Sequence, residues 1–125
     1  MTSAGLYDFN LSTGVLTLEG DLGAASDYNF EFSPNGFYLY ASIFDPNTFV
    51  SNLVQYNVFA PSQTGQTVES TAQVIVQNFN GLYLQLASDG KIYFTEQSFG
   101  FTTLLGTINC PNTSDPTVSS GVLSF

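Results

Sequence analysis

Histidine and tryptophan are absent from the sequence, cysteine occurs once, and Lys91 is the single basic residue. Without histidine, Ser-His-Asp and Cys-His catalysis are excluded within these 125 residues, because both need a base that titrates near neutral pH. One basic residue against ten acidic ones excludes a nucleic-acid partner, since phosphates are neutralised by Lys and Arg. The lone Cys110 has no second cysteine for an intrachain disulfide, and its place before Pro111 indicates a small apolar filler at a strand end.

Long apolar runs and a leader are missing as well. No stretch approaches the roughly 20 apolar residues of a membrane-spanning helix, so no membrane insertion is expected. Residues 1–5 lack a basic region followed by an apolar run, so no signal peptide is expected in this chain. The formal net charge of -9 would also repel an anionic membrane surface.

The sequence is rich in β-forming residues arranged in short runs. Val, Ile, Thr, Tyr and Phe recur between clusters of Gly, Pro, Asn and Ser, whereas strong helix formers are concentrated nowhere. The predicted strands are residues 6–9, 15–18, 28–32, 37–44, 53–59, 72–76, 82–86, 91–95 and 103–108. Short strands at regular spacing predict an all-β sandwich, barrel or propeller.

Residues 37–44 carry apolar side chains on both faces of their predicted strand. One alternation gives Phe37, Leu39, Ala41 and Ile43, and the other gives Tyr38, Tyr40, Ser42 and Phe44. A sheet with one wet face would show a polar residue at every second position. The pattern favours a propeller, because its blades pack face to face and bury both sides of each sheet.

An internal repeat supports the same architecture. Residues 30–40 align with residues 84–94 at an offset of 54, each segment being strand, turn and strand. The turn signature consists of Ser33, Pro34, Asn35, Gly36, Ser88, Asp89 and Gly90. Asn-Gly and Asp-Gly tips predict a hairpin in which both tip residues adopt positive φ.

A second repeated element sets the phase of the blades. Residues 6–10 recur at residues 53–57 and more faintly at residues 104–109, with offsets of 47 and 52. A period near 50 residues holds about four strands, the content of one blade. With blade strands labelled a to d outward from the axis, the chain is predicted as c-d, a-b-c-d and a-b-c.

This phase predicts about two to two and a half antiparallel blades and an incomplete ring. The predicted units are a part blade at residues 1–23, a full blade at residues 24–80 and a part blade at residues 81–125. We therefore expect either a fragment of a larger propeller or a protomer that completes its ring by self-association.

Three phrases resemble one family of propeller repeats. Residues 33–40 are similar to the Ser-Pro-Asp-Gly phrase of WD40-like repeats, and residues 84–93 and 109–112 resemble the phrases that follow it in one group. That group is the PD40-type propellers of secreted, gliding-motility-associated proteins of Bacteroidetes-type bacteria, which use type IX secretion. The resemblance implies an extracellular or cell-surface location, and it carries over no catalytic residue.

The acidic and aromatic candidates for a site also have ordinary structural explanations. Glu31 and Glu96 could form a glycosidase carboxylate pair, but a propeller glycosidase draws its acids from several blades, so no catalytic residue is predicted. Oxygen-rich loops at residues 45–47 and 112–115 could hold a structural calcium ion, although turn chemistry explains both, and no cofactor is predicted. Tyr38, Tyr40 and Tyr93 could stack on a ligand, against the alternative of inter-blade packing.

The function expected from the sequence is a non-catalytic interaction module. It would be a segment of a secreted or cell-surface propeller that presents loops to protein or glycan partners. The alternatives are a carbohydrate-binding propeller lectin and a carboxylate-based glycoside hydrolase fragment.

Overall fold

The computed structural model describes residues 3–45, 47–79, 81–97 and 103–124. Its strands are β1 (Ser3–Phe9), β2 (Leu16–Phe32), β3 (Tyr38–Asp45), β4 (Val50–Asn57), β5 (Gln73–Val76), β6 (Gly81–Leu86), β7 (Ile92–Gln97), β8 (Thr103–Asn109) and β9 (Thr117–Ser124). One helical turn, α1 (Ala60–Thr64), and a 3₁₀ turn at Glu69–Thr71 lie between β4 and β5.

The strands form two antiparallel sheets in which chain order equals spatial order. Five strands pair in the order β1-β2-β3-β4-β5, and four pair in the order β6-β7-β8-β9, which is the second sheet. Residues 16–24 of β2 pair with β1, and residues 25–32 pair with β3. We call β1 with residues 16–24 the β1–β2 hairpin, and residues 25–32 with β3, β4 and β5 the first sheet. The prediction of an all-β, antiparallel protein is therefore confirmed. The predicted unit boundaries at residues 23/24 and 80/81 stay a prediction.

Three elements differ from the predicted strands. Residues 15–18 and 28–32 were expected as separate strands, but residues 16–18 and 28–32 both lie in the single strand β2, which pairs first with β1 and then with β3. β9 was not predicted, since its Ser- and Gly-containing sequence has weak β propensity. α1 was also missed, although Pro61 lies near its start and Gly65, at φ 74°, ends it.

The strand ladder corrects the offset of the first repeat. Phe32 pairs with Leu39 in the first sheet, whereas Leu86 pairs with Ile92 in the second. The turn between the paired strands is therefore one residue longer in the first sheet. The turn glycines align at 54, but β3 and β7 correspond at 53, so that Tyr40 matches Tyr93 rather than Phe94.

Each sheet has two distinct faces, which we call face A and face B. In the first sheet, face A carries Leu39, Ala41, Val54 and Tyr56, and face B carries Tyr40, Leu53 and Gln55. The corresponding residues of the second sheet are Ile92, Phe94 and Ile108 on face A and Tyr93, Leu105 and Thr107 on face B. In the β1–β2 hairpin, which matches β4–β5, face A carries Tyr7, Phe9, Leu16 and Leu18, and face B carries Leu6.

Both faces of the first sheet are buried, as the sequence pattern predicted. Its face A packs against the β1–β2 hairpin in a cluster of Leu22, Leu39, Ala41, Val54, Tyr56 and Val68, which Leu6 also contacts. Its face B packs against face A of the second sheet in a cluster of Tyr40, Leu53, Phe79, Leu84, Ile92, Phe94 and Ile108. At both interfaces, face B of one unit meets face A of the next.

Candidate binding surface

The turn between β2 and β3 is held by its own side chains. Ser33 Oγ donates to Asn35 Oδ1 (2.7 Å) and accepts from the Tyr38 N–H (3.1 Å), while Asn35 Oδ1 also accepts from the Phe37 N–H (3.0 Å). Gly36 has a φ of 74°, and Asn35 is not among the residues at positive φ. The expectation that both tip residues adopt positive φ is therefore wrong for this turn.

The turn between β6 and β7 is held in a similar way, with a carboxylate as the hydrogen-bond acceptor. Asp89 Oδ1 accepts from the Lys91 N–H (3.0 Å), and Asp89 Oδ2 accepts from the Tyr93 hydroxyl (2.6 Å). The hydrogen bond from the Tyr93 hydroxyl is the main cause that lowers the pKa of Asp89, and the bond from the Lys91 N–H is the second cause. The bond between Tyr93 and Asp89 also raises the pKa of Tyr93. In this turn Gly90 has a φ of 81°, and Asp89 is not among the residues at positive φ. The expectation that both tip residues adopt positive φ is therefore wrong for this turn as well.

A loop of the second sheet is fixed to the first sheet at this end. Asn112 Oδ1 accepts from the Asn35 N–H (2.9 Å), and the Tyr40 hydroxyl donates to the Pro111 carbonyl (2.8 Å). Gln55 Nε2 lies 2.8 Å from both the Tyr40 hydroxyl and the Thr113 carbonyl oxygen. Burial raises the pKa of Tyr40 to about 12, so its hydroxyl stays protonated and can donate.

An exposed pair of aromatic rings marks the same end of the first sheet. Phe37 follows the signature turn, and Phe59 precedes α1. Their rings meet edge to face with centroids 4.7 Å apart. The Val58 N–H donates to the Phe37 carbonyl (3.0 Å), which fixes the two segments side by side. Both phenylalanines remain more than two-fifths exposed.

A groove runs from this aromatic pair to the edge strand β1. Its volume is about 380 Å³, and its lining consists of Leu6, Tyr7, Asp8, Phe32, Gly36, Val58, Phe59 and Pro61. A second hollow of about 300 Å³ continues it beneath the hairpin and shares Leu6 and Phe32 with it. Among the described lining residues, Asp8 carries the one carboxylate and most of the others have apolar or aromatic side chains, which is the chemistry of a site for an apolar segment.

The acidic candidates have structural contacts. Both carboxylate oxygens of Glu31 accept backbone N–H groups, from Phe32 (3.0 Å) and from Leu86 (2.9 Å) of the second sheet. Glu96 lies in β7 opposite Leu104 of β8. In the part of the chain that the structure describes, no three His, Cys, Asp or Glu side chains come together as a metal-ligating group.

The oxygen-rich loops carry turn contacts. Asp45 Oδ1 accepts from the Asn47 N–H (2.9 Å), and the residue between them lies outside the described residues. Asn112 bonds to the signature turn as described above. Cys110 is exposed and has a φ of 51°, so the expectation that it fills an apolar space is wrong.

The tyrosines proposed for ligand stacking lie in different surroundings. Tyr40 is completely buried between the sheets, which places its ring against protein. Tyr38 is half-buried and packs against the same cluster. Tyr93 is half-buried on face B of the second sheet, and ligand stacking there stays a prediction.

The groove residues were not singled out from the sequence. The sequence pattern places Phe37 and Phe59 inside the predicted strands 37–44 and 53–59, so it does not mark either of them as a surface aromatic. The approach of β1 to α1 had no sequence signal either, since it joins segments about 50 residues apart in the chain.

Comparisons with models of known protein families, with curated proteins and with solved structures gave no match. Within the described ranges, no helix has the length and apolar character needed to cross a membrane.

Proposed function

We propose that the two sheets and the hairpin are successive blades of a β-propeller that serves as a non-catalytic interaction module. The order of faces supports the architecture: at two interfaces, face B of one unit covers face A of the next, which is how blades follow one another around an axis. In this arrangement β1 and the first half of β2 are strands c and d of one blade. The second half of β2 with β3, β4 and β5 forms the next blade, and β6 to β9 form the third.

The groove at the β2–β3 turn is the proposed binding site, and a protein segment with apolar side chains is the proposed partner. Its exposed phenylalanines are the single observation that carries this proposal. Phe32 and Phe59 line the groove, Phe37 contacts Phe59 edge to face beside it, and all three side chains are more than two-fifths exposed. A glycan site would need several polar groups converging on the ligand, and the described lining offers one carboxylate, Asp8.

The parent protein is proposed to act outside the cell or at its surface, in line with the resemblance to secreted propeller repeats. The acidic composition supports solubility in such surroundings.

The proposal is tested by selecting binders from a random peptide display library on the folded chain, in parallel with a glycan array. We expect peptides with alternating apolar residues whose binding to a Phe59→Ser variant is at least about tenfold weaker. Phe49→Ser is the matched control, because Phe49 is exposed in the β3–β4 turn and does not line the groove. Selection of no peptide, or equal binding to both variants, would contradict the proposal, and glycan hits alone would favour a lectin.

A further inference from the structure

Face A of the β1–β2 hairpin is exposed, although its equivalents in the first sheet are buried. Phe9 is 53% exposed where Tyr56 is 4% exposed, and Tyr7 is 57% exposed where Val54 is 6% exposed. Leu16 and Leu18, the cross-strand partners of Phe9 and Tyr7, are 62% and 58% exposed. Four large apolar side chains therefore form one contiguous face of the kind that marks an interaction site.

Face B of the second sheet is the complementary open surface. Tyr93 and Leu105 are half-buried there, whereas Tyr40 and Leu53, their equivalents in the first sheet, are fully buried. Gln85, which pairs with Tyr93 in the ladder, is exposed. The described chain thus displays one uncovered face A and one uncovered face B.

The internal interfaces show what such faces bind. Face B of the first sheet takes face A of the second, and Tyr40 and Gln55 add hydrogen bonds to the loop at Pro111 and Thr113. The turn at residues 10–15 follows β1 in the same way that the loop with Pro111 and Thr113 follows β8, so the repeat makes these two segments equivalent. A second copy of the chain can therefore offer Tyr93 the same kind of turn beside the same kind of apolar face.

We propose that copies of this chain associate head to tail, with face A of the β1–β2 hairpin of one copy against face B of the second sheet of another. This rests on the blade organisation proposed above. The contact uses two different surfaces, so it is heterologous and builds either a closed ring or an open chain of copies. Each copy carries a net charge of -9, so added salt strengthens association by screening the repulsion between copies.

The test is sedimentation equilibrium of the full chain at increasing protein and salt concentrations. We expect a mass above the 13.5 kDa of one chain at concentrations up to roughly 100 μM, rising with salt. Leu18→Asp, on face A, and Gln85→Arg, on face B, each alter an exposed side chain and should weaken association at least about tenfold. Phe49→Asp, at an exposed phenylalanine in the β3–β4 turn that lies on neither face, should change nothing.

Mixing the two variants gives the sharper result. Each keeps one intact face, so Leu18→Asp and Gln85→Arg chains should form a one-to-one complex although neither associates with itself. A monomer under all conditions, or association that neither variant weakens, would overturn the proposal. So would a mixture of the variants that stays monomeric while the wild-type chain associates. If the wild-type chain is monomeric but still binds peptides in the groove, the association proposal fails while the proposed function stands.

Discussion

The two sheets have corresponding strand pairings, but they fill the equivalent position on face A with different residues. Where the first sheet pairs Ala41 with Val54 on face A, the second pairs Phe94 with Gly106. A Cβ at Gly106 would overlap the ring of Phe94, so the large ring fits only because its neighbour has no side chain. At this position the larger residue lies on β4 in the first sheet and on β7 in the second, so the two sheets divide the space between the paired strands differently.

On face B, the equivalent tyrosines of the two sheets differ in burial and in hydrogen-bond partner. Tyr40 is buried and bonds to a loop of the second sheet, whereas Tyr93 is half-buried and bonds to Asp89 in its own turn. A neighbouring unit covers the first tyrosine, and no described residue of a further sheet covers the second. Position in the series of units therefore decides whether the same residue stabilises an interface or a local turn.

The largest expected effect comes from breaking the Phe94–Gly106 pair. Gly106→Val should destabilise the protein by about 3 kcal/mol, because the overlapping ring of Phe94 is buried and packs against Phe79, which leaves it little room to move away. Phe94→Ala combined with Gly106→Val recreates the Ala41–Val54 pair. We expect the double variant to be less destabilised than the sum of the single variants by at least about 1 kcal/mol, measured by urea unfolding.

Gly90→Ala is the control for the Gly106 series. Gly90 has a φ of 81° and open space around its Cβ position, so alanine there adds backbone strain without overlap. It should cost about 1 kcal/mol. Equal losses for Gly106→Val and Gly90→Ala, or strict additivity in the double variant, would contradict the packing explanation.

Alkaline pH should destabilise the protein through Tyr40. Burial raises its pKa to about 12 from 10.0, so the folded protein holds this proton more tightly than the unfolded chain does. The resulting stability is fully present below pH 10 and falls as pH rises through 12, by roughly 2 to 3 kcal/mol. Urea unfolding at intervals from pH 9 to about 12 measures the fall, and Tyr40→Phe should reduce it. An unchanged slope in that variant would assign the effect to other tyrosines, among them Tyr56, whose pKa burial also raises.

A smaller effect separates the two equivalent tyrosines at neutral pH. Tyr40→Phe leaves the buried carbonyl of Pro111 without this donor and should cost about 1 to 2 kcal/mol. Tyr93→Phe removes a bond between solvent-accessible groups and should cost less than about 0.5 kcal/mol. Thermal unfolding of the two variants side by side measures the difference. Equal losses would show that the covering unit adds nothing to the role of this residue.

The fold class was predictable because alternation and turn residues are local signals. The turns at Gly36 and Gly90 lie where the sequence places them. The burial of Leu39 and Ala41 on one face and of Tyr40 on the other followed from the apolar pattern, whereas Phe37, in the same predicted strand, is exposed. The register between repeats was not predictable, because alignment by the turn glycines cannot reveal the additional residue in the first turn. β9 was not predicted for a related reason, because its pairing with β8 rather than its composition makes it a strand.

The candidate site was predictable only in part. The hydrogen bonds of Asn35 and Asp89 follow from turn chemistry that the sequence shows directly. The groove depends on bringing β1, β2 and α1 together, and the buried Tyr40 looks like any strand tyrosine until its partners in the second sheet are known. Long-range packing decides both features.

Face B of the hairpin packs against face A of the first sheet, and face B of the first sheet packs against face A of the second. Nuclear Overhauser effects in the folded chain test this packing most directly, since they report proton pairs in close contact across the two sheets. We predict contacts from the Gln55 side-chain amide to Thr113, and from the Tyr40 and Leu53 side chains to those of Ile92 and Phe94. Contacts from Tyr40 or Leu53 to Tyr93 and Leu105 instead would place face B against face B and contradict the account.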